Sequence, residues 1–184
     1  MHYEATAHHF QQLIEQLSLS VDAIADIAGI AAEQVAEALV GEKKLFCCGV
    51  GIDASTATLM STLLTCGVNR ERPTLPAIEL STTTDHPDDG AIQWLVNRLG
   101  ALGQPGDVAI VFASQISTHS LEKLESTLNN RQCVAVWIGA QGRGPSLVFP
   151  GADPLITLSL CHASAACLAE LIDIAMFGPL EISY

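Results

Sequence analysis

The chain has 184 residues, 49% of them hydrophobic and 15% charged, with 8 Lys and Arg against 20 Asp and Glu. That length suits one domain with a full core. The net charge of −12 argues against direct nucleic-acid binding and against an anionic membrane surface, and it leaves a basic protein partner compatible.

The first twelve residues are polar, with His2, Glu4, His8 and His9, and do not read as a signal peptide. The six cysteines (Cys47, Cys48, Cys66, Cys133, Cys161 and Cys167) form no C-x-x-C pair, and several lie in apolar runs. Together these point to a cytoplasmic protein with free thiols. The longest uncharged stretch, Pro154 to Ala169, reads as too short and too polar to span a bilayer.

Tyr3 to Leu17 carries Phe10, Leu13, Ile14 and Leu17 at helical spacing. Ser18 and Ser20 interrupt the pattern, and Ser20 can cap a second helix running to about Val40. That helix has Val21, Ile24, Ala28, Ala31, Val35 and Leu39 on one stripe, and Gly41 is its stop. Residues 1–41 thus read as a helical pair, packed either against another subunit or as a hairpin within one.

Residues 42–184 read as an α/β core of the same single domain. Leu45 to Cys48 is a short apolar run, as in a strand covered on both faces. Gly49 and Gly51 permit a sharp turn, and Asp53, Ser55 and Thr56 are helix-start residues for a helix continuing through Leu64. Free N–H groups at such a helix start form a natural anion site. An acid, Asp53, stands where the anion should go.

Pro73 and Pro76 lead into a short strand over Ala77 to Leu80. Ser81 to Gly90 is a polar loop with Asp85, Asp88 and Asp89. A helix follows over Ala91 to Leu102, then a tight turn at Gly103 to Asp107. Val108 to Phe112 is a buried strand, Ala113 to Thr118 a polar turn, and a helix runs to about Leu128. Cys133 to Ile138 is the next strand and Gly139 to Gly144 a glycine loop. Leu155 to Leu160 reads as the last strand, and a final helix runs from about His162 to Phe177. Alternating strands and helices predict a parallel sheet covered on both faces, with ligands at the strand C-terminal ends.

Several chemistries compete for these residues. Gly49-x-Gly51-x-x-Ala54 fits a dinucleotide fingerprint, with Glu71 about 20 residues on. Glu71 lies in a proline lead-in, however, whereas a ribose-binding acid belongs at a strand end. Ser114, Ser117 and His119 lack a nucleophile elbow and read as surface polar residues. Cys161-His162 with Cys167 is no metal set, since helical spacing separates the cysteines and no second cluster supports them. No cofactor or metal is expected.

Four segments together resemble the sugar isomerase (SIS) domain family: Lys44 to Gly49 with Gly51, Arg70 to Ile78, Arg98 to Val108, and Leu171-Ile172-Asp173 with Phe177. The branch is that of phosphoheptose isomerase and the DnaA initiator-associating protein DiaA. The resemblance implies a flavodoxin-like three-layer sandwich with a five-stranded parallel sheet, preceded by the two N-terminal helices. It also implies a homotetramer packed through helices and a site for a phosphorylated sugar.

The departures from the family pattern bear on function. Where the branch has G-N-G-G/T-S-A, this chain has Gly49-Val50-Gly51-Ile52-Asp53-Ala54, so the phosphate-binding serine becomes Asp53. At the second phosphate turn Ser114, Ser117 and Thr118 keep hydroxyls, while the family's glycine becomes Ile116. The His and Glu used for metal or proton transfer align with Leu59 and Leu63, and the chain is shortened between Leu80 and Gly103. The family's Q-E-x-H is represented at best by His162.

The phosphosugar-site remnant is therefore Gly49, Gly51, Asp53, Ser55, Ser114, Ser117 and Thr118, with no catalytic residue assigned. Two unit charges about 4 Å apart repel by roughly 4 kcal/mol at an effective dielectric near 20. That repulsion is about three decades of affinity. Asp53 is expected to fill the anion site from within, the alternative being a solvent-facing helix cap. The reading is a non-catalytic, DiaA-like homo-oligomeric adaptor for the initiator DnaA, with Met176 and Phe177 as candidate partner residues. A phosphosugar-binding or isomerase role is the alternative.

Overall fold

The computed structural model describes residues 2–67, 69–83 and 89–179, the side chain of Asp89 excepted. Asp85 and Asp88 of the polar loop lie outside the described residues. The chain opens with α1 (His2–Val40), then β1 (Leu45–Val50), a 3-10 turn (Gly51–Asp53) and α2 (Ala54–Cys66). β2 (Ala77–Thr82), α3 (Asp89–Leu102), β3 (Val108–Phe112), α4 (Thr118–Asn130) and β4 (Val134–Ile138) follow. The chain closes with β5 (Ser146–Leu147) and α5 (Pro154–Phe177).

The five strands form one parallel sheet in the order β2-β1-β3-β4-β5. Period-two alternation divides the strand side chains between two cores. Leu45, Cys47, Val108, Ile110 and Phe112 point to the face covered by α1, α2 and α5. Phe46, Cys48, Ala109, Val111 and Trp137 point to the face covered by α3 and α4. This three-layer arrangement is the expected one.

Two elements differ from the expectation. The N-terminal pair is a single helix of 39 residues, about 58 Å long at 1.5 Å per residue. Ser18 and Ser20 do not break it, because serine costs only tenths of a kcal/mol inside a helix and no glycine or proline stands between them. The segment Leu155 to Leu160 is helix, not strand. Asp153 caps it by accepting from the Leu155 and Ile156 N–H groups at 2.9 and 3.0 Å, and Pro154 sits in its first turn, where its missing N–H costs nothing. The fifth strand is instead the short Ser146–Leu147.

By length and composition α5 could cross a membrane. Here Ile156, Leu160, Cys161, Ala165, Leu168 and Ile172 are buried in the core beneath the sheet, and α5 packs along α1 and α2.

Candidate functional site

β1 is flanked by β2 on one side and β3 on the other. The chain therefore leaves the C-terminal ends of β1 and β3 in opposite directions, which opens the crevice where such sheets bind ligands. The walls of that crevice are the 3-10 turn after β1 and residues 113–117 after β3.

The wall after β1 is a tight turn. Gly51 takes a φ of 63°, which favours glycine. A Cβ on Gly49 would lie 2.4 Å from the Asp53 carbonyl oxygen, so only glycine fits beneath the turn. This geometry turns the Asp53 side chain inward, to 2% exposure. Although Asp53 precedes α2, its side chain caps no helix amide. The carboxylate crosses the crevice instead. Oδ2 accepts the Ser114 N–H at 2.8 Å, and Oδ1 accepts the Ser114 hydroxyl at 2.7 Å. The opposite wall is equally close: Gly139, at φ 91°, would place a Cβ 2.9 Å from the Ser114 backbone.

Burial pushes the Asp53 carboxyl up from its ordinary range. The Ser114 hydroxyl and N–H, the Gln115 N–H and the charge of His162 oppose that shift without cancelling it. His162, half-buried on α5, faces the same crevice. Its Nδ1 lies 2.9 Å from the Leu158 carbonyl and 3.2 Å from the hydroxyl of buried Thr56. The contact with a carbonyl, which only accepts, requires a proton on Nδ1. Beside it, burial and the charge of Asp53 push the Cys161 thiol up to about 12, so it remains a thiol at neutral pH.

The remnant residues separate into two groups. Gly49, Gly51, Asp53 and Ser114 form the closed crevice. Ser55 donates to its own turn at the Ile52 carbonyl, 2.9 Å away. Ser117 caps α4 by accepting the Ser120 N–H at 3.2 Å, and Thr118 opens that helix at the surface. Leu59 is half-buried on α2, and Leu63 lines a groove of about 380 Å³ with Asn69, Cys167, Glu170 and Asp173. Among the described residues no three His, Cys, Asp or Glu side chains gather to hold a metal ion. Glu71 is exposed before β2, away from a strand end, as the proline lead-in implied.

No family model matches the chain. It is 26% identical over 188 residues to the phosphoheptose isomerase of Chromohalobacter salexigens, covering 94% of this chain and 95% of the relative. It is likewise 26% identical to that of Methylococcus capsulatus, covering 96% and 98%. The phosphoheptose isomerase structure from Francisella tularensis superposes with a TM-score of 0.79 at 18% identity, covering 94% of this chain and 98% of that one. The structure from Neisseria gonorrhoeae gives 0.79 at 19%, covering 94% and 99%. The chain is thus similar along nearly its whole length to phosphoheptose isomerases, and it shares their fold.

Within this chain, Met176 and Phe177 stand about 21 Å along α5 from His162. Met176 packs partly against the core. Phe177, 38% exposed, lies under the guanidinium of Arg72, whose Cζ is 5.8 Å from the ring centroid. Both side chains are thus engaged within the subunit. Sequence reasoning did not foresee the Thr56–His162 contact, because the partners are 106 positions apart and no local pattern pairs them.

Proposed function

We propose that this protein is a catalytically silent SIS-domain homotetramer of the cytoplasm, acting as an adaptor that binds a protein partner. The partner implied by the family resemblance is the replication initiator DnaA. One observation carries the silent-site reading: the donors at the crevice between β1 and β3 already hold the carboxylate of Asp53. A phosphate entering beside it meets roughly 4 kcal/mol of repulsion for each unit charge at about 4 Å.

Aldose–ketose isomerisation needs an acid/base pair beside the substrate carbons. The resemblance puts that pair at Leu59 and Leu63, which carry no proton to exchange. A tetramer supplies what an adaptor requires, several copies of one surface raising the local concentration of its partner. The hydroxyls of Ser55, Ser117 and Thr118 at the same strand ends support the second reading, a phosphosugar-binding protein.

The test is a binding isotherm of the purified chain against DnaA, with its mass in solution measured in the same buffer. Saturable binding by a tetramer is the expected result, and absence of binding removes the initiator from the reading. Turnover of sedoheptulose 7-phosphate is assayed separately. The expected rate is that of buffer alone, and sustained turnover overturns the silent-site reading in favour of the enzyme.

A further inference from the structure

The crevice holds an anion in the form of a side chain. The Ser114 N–H and hydroxyl bond the Asp53 carboxylate, and the Gln115 N–H stabilises its charged form. Successive backbone N–H groups aimed at one point make an anion cradle, and such donors accept carboxylate and phosphate or sulfate oxygens alike. Asp53 is buried, whereas Ser114 is half-buried and Gln115 exposed. The residues that carry the donors thus border solvent on the loop side. Asp53 sits on a three-residue turn that begins at Gly51, so withdrawal involves only a short segment.

We propose that Asp53 is a proton-operated gate on this cradle: ionised, it occupies the donors and repels a second anion; neutral, it yields them to a doubly charged oxyanion of the sulfate and phosphate class. The proposal rests on the reading of a self-occupied site and adds that the occupation is reversible.

Burial favours the neutral carboxyl, which brings proton uptake closer to neutral pH than for an exposed aspartate. Among the described residues the titratable groups that face Asp53 are Cys161 and His162, both on α5. The 113–117 turn contributes hydroxyl and amide groups but no charge. The raised Cys161 thiol stays neutral across the relevant range, which leaves His162 as the rival source of any pH dependence.

Sulfate is the probe, because its double charge is constant between pH 5 and 8 while that of phosphate is not. The full chain is titrated with sulfate at pH 5 and pH 7.5, following the Ser114 and Gln115 amides by nuclear magnetic resonance. The wild type is expected to bind at least about tenfold more tightly at pH 5. Asp53→Asn, which keeps the shape and removes the charge, and Asp53→Ser, which also removes volume, are expected to bind equally at both pH values. Their gain over wild type at pH 7.5 is roughly 100-fold or more. His162→Gln should keep the pH dependence. Equal wild-type binding at both pH values overturns the gate. So does silence of both Asp53 variants, or loss of the pH dependence in His162→Gln. None of these readouts depends on isomerase turnover or on DnaA binding, so the gate and the adaptor reading fail separately.

Discussion

Asp53 and Asp107 are buried acids at opposite ends of the same central strands, and their environments push them in opposite directions. Asp53 at the C-terminal ends is raised, with burial as the largest cause. Burial also acts on Asp107, at the start of β3, but hydrogen bonds and charge outweigh it. Its carboxylate accepts the Lys44 and Gln104 N–H groups, each at 2.9 Å, with the Lys44 ammonium also at 2.9 Å, and its carboxyl is held below 3.8.

The linkage signs follow. Asp107 adds stability that is present above 3.8 and lost as the pH falls through its lowered value. Asp53 holds its proton more tightly folded than unfolded, so its contribution is complete below 3.8 and declines as the pH rises through its raised value. Asp53→Asn should therefore gain stability relative to wild type on going from pH 4.5 to 7.5, whereas Asp107→Asn should lose it only as the pH rises towards 3.8 and stay level above that. Thermal melts of wild type and both variants at pH 4.5 and 7.5 check this, and an Asp107→Asn response across that interval equal to that of Asp53→Asn would contradict the opposed environments. Gly49→Ala should cost about 3 kcal/mol or more in denaturant unfolding, because its Cβ meets backbone that cannot step aside.

At the scale of elements, Arg72 joins three segments that sequence reading treated separately. Its side chain is 2% exposed, and Nε lies 2.7 Å from Asp173 Oδ1 on α5. Nη1 donates to the Leu64 and Pro73 carbonyls at 2.8 and 3.0 Å, and Nη2 to the Leu63 carbonyl at 3.2 Å. One guanidinium thus adds a second donor to the Leu63 and Leu64 carbonyls in the last turn of α2, which already accept the Gly67 and Leu75 N–H groups, and holds the proline lead-in to β2 against α5. Arg72→Met should destabilise by about 3–5 kcal/mol, because Asp173 is left buried and unpaired. Adding Asp173→Leu should recover part of that loss in the same urea titration. No recovery would show that the carbonyl bonds carry the effect instead.

The strand–turn–helix of β1, the strands β3 and β4 and the parallel sheet were legible because short apolar runs bounded by glycine turns carry a local signal. α5 was misread at its start because Ile156, Leu158 and Leu160 alternate with polar residues as a strand does. The helix-start signal of Asp153-Pro154 overrides that alternation. The inward turn of Asp53 was anticipated from its place in the turn. Its acceptance of Ser114, across 61 positions, arises from the order of strands in the sheet, which no local pattern encodes.

Among the described residues, α1 carries an apolar stripe that the subunit's own core leaves uncovered. Phe10, Ile14, Leu17 and Val21 recur at spacings of four, three and four along α1, and the same stripe continues through Ile24, Ala28, Ala31 and Val35. The later members are buried on the sheet face, while Phe10, Ile14 and Val21 are 56%, 67% and 54% exposed. The exposed half is flanked by neutral Ala7, Gln11, Ser18 and Ala25. The acids Glu4, Glu15, Asp22, Asp26, Glu33 and Glu37 lie roughly 140° round the helix on average. A basic partner would be matched by acids beside the stripe. Neutral flanks suit a second copy, whose own acids are then held apart. Each large side chain covered there contributes about 1.5–3 kcal/mol. Introducing charge with Phe10→Glu and Ile14→Glu together should therefore reduce the mass in solution, read by light scattering, from that of the proposed tetramer to a smaller species. The helical circular dichroism of the subunit should be kept, because neither side chain belongs to its buried core. A wild type that is monomeric at tens of micromolar would remove the stripe as an interface between copies, and with it the multivalency on which the adaptor reading depends.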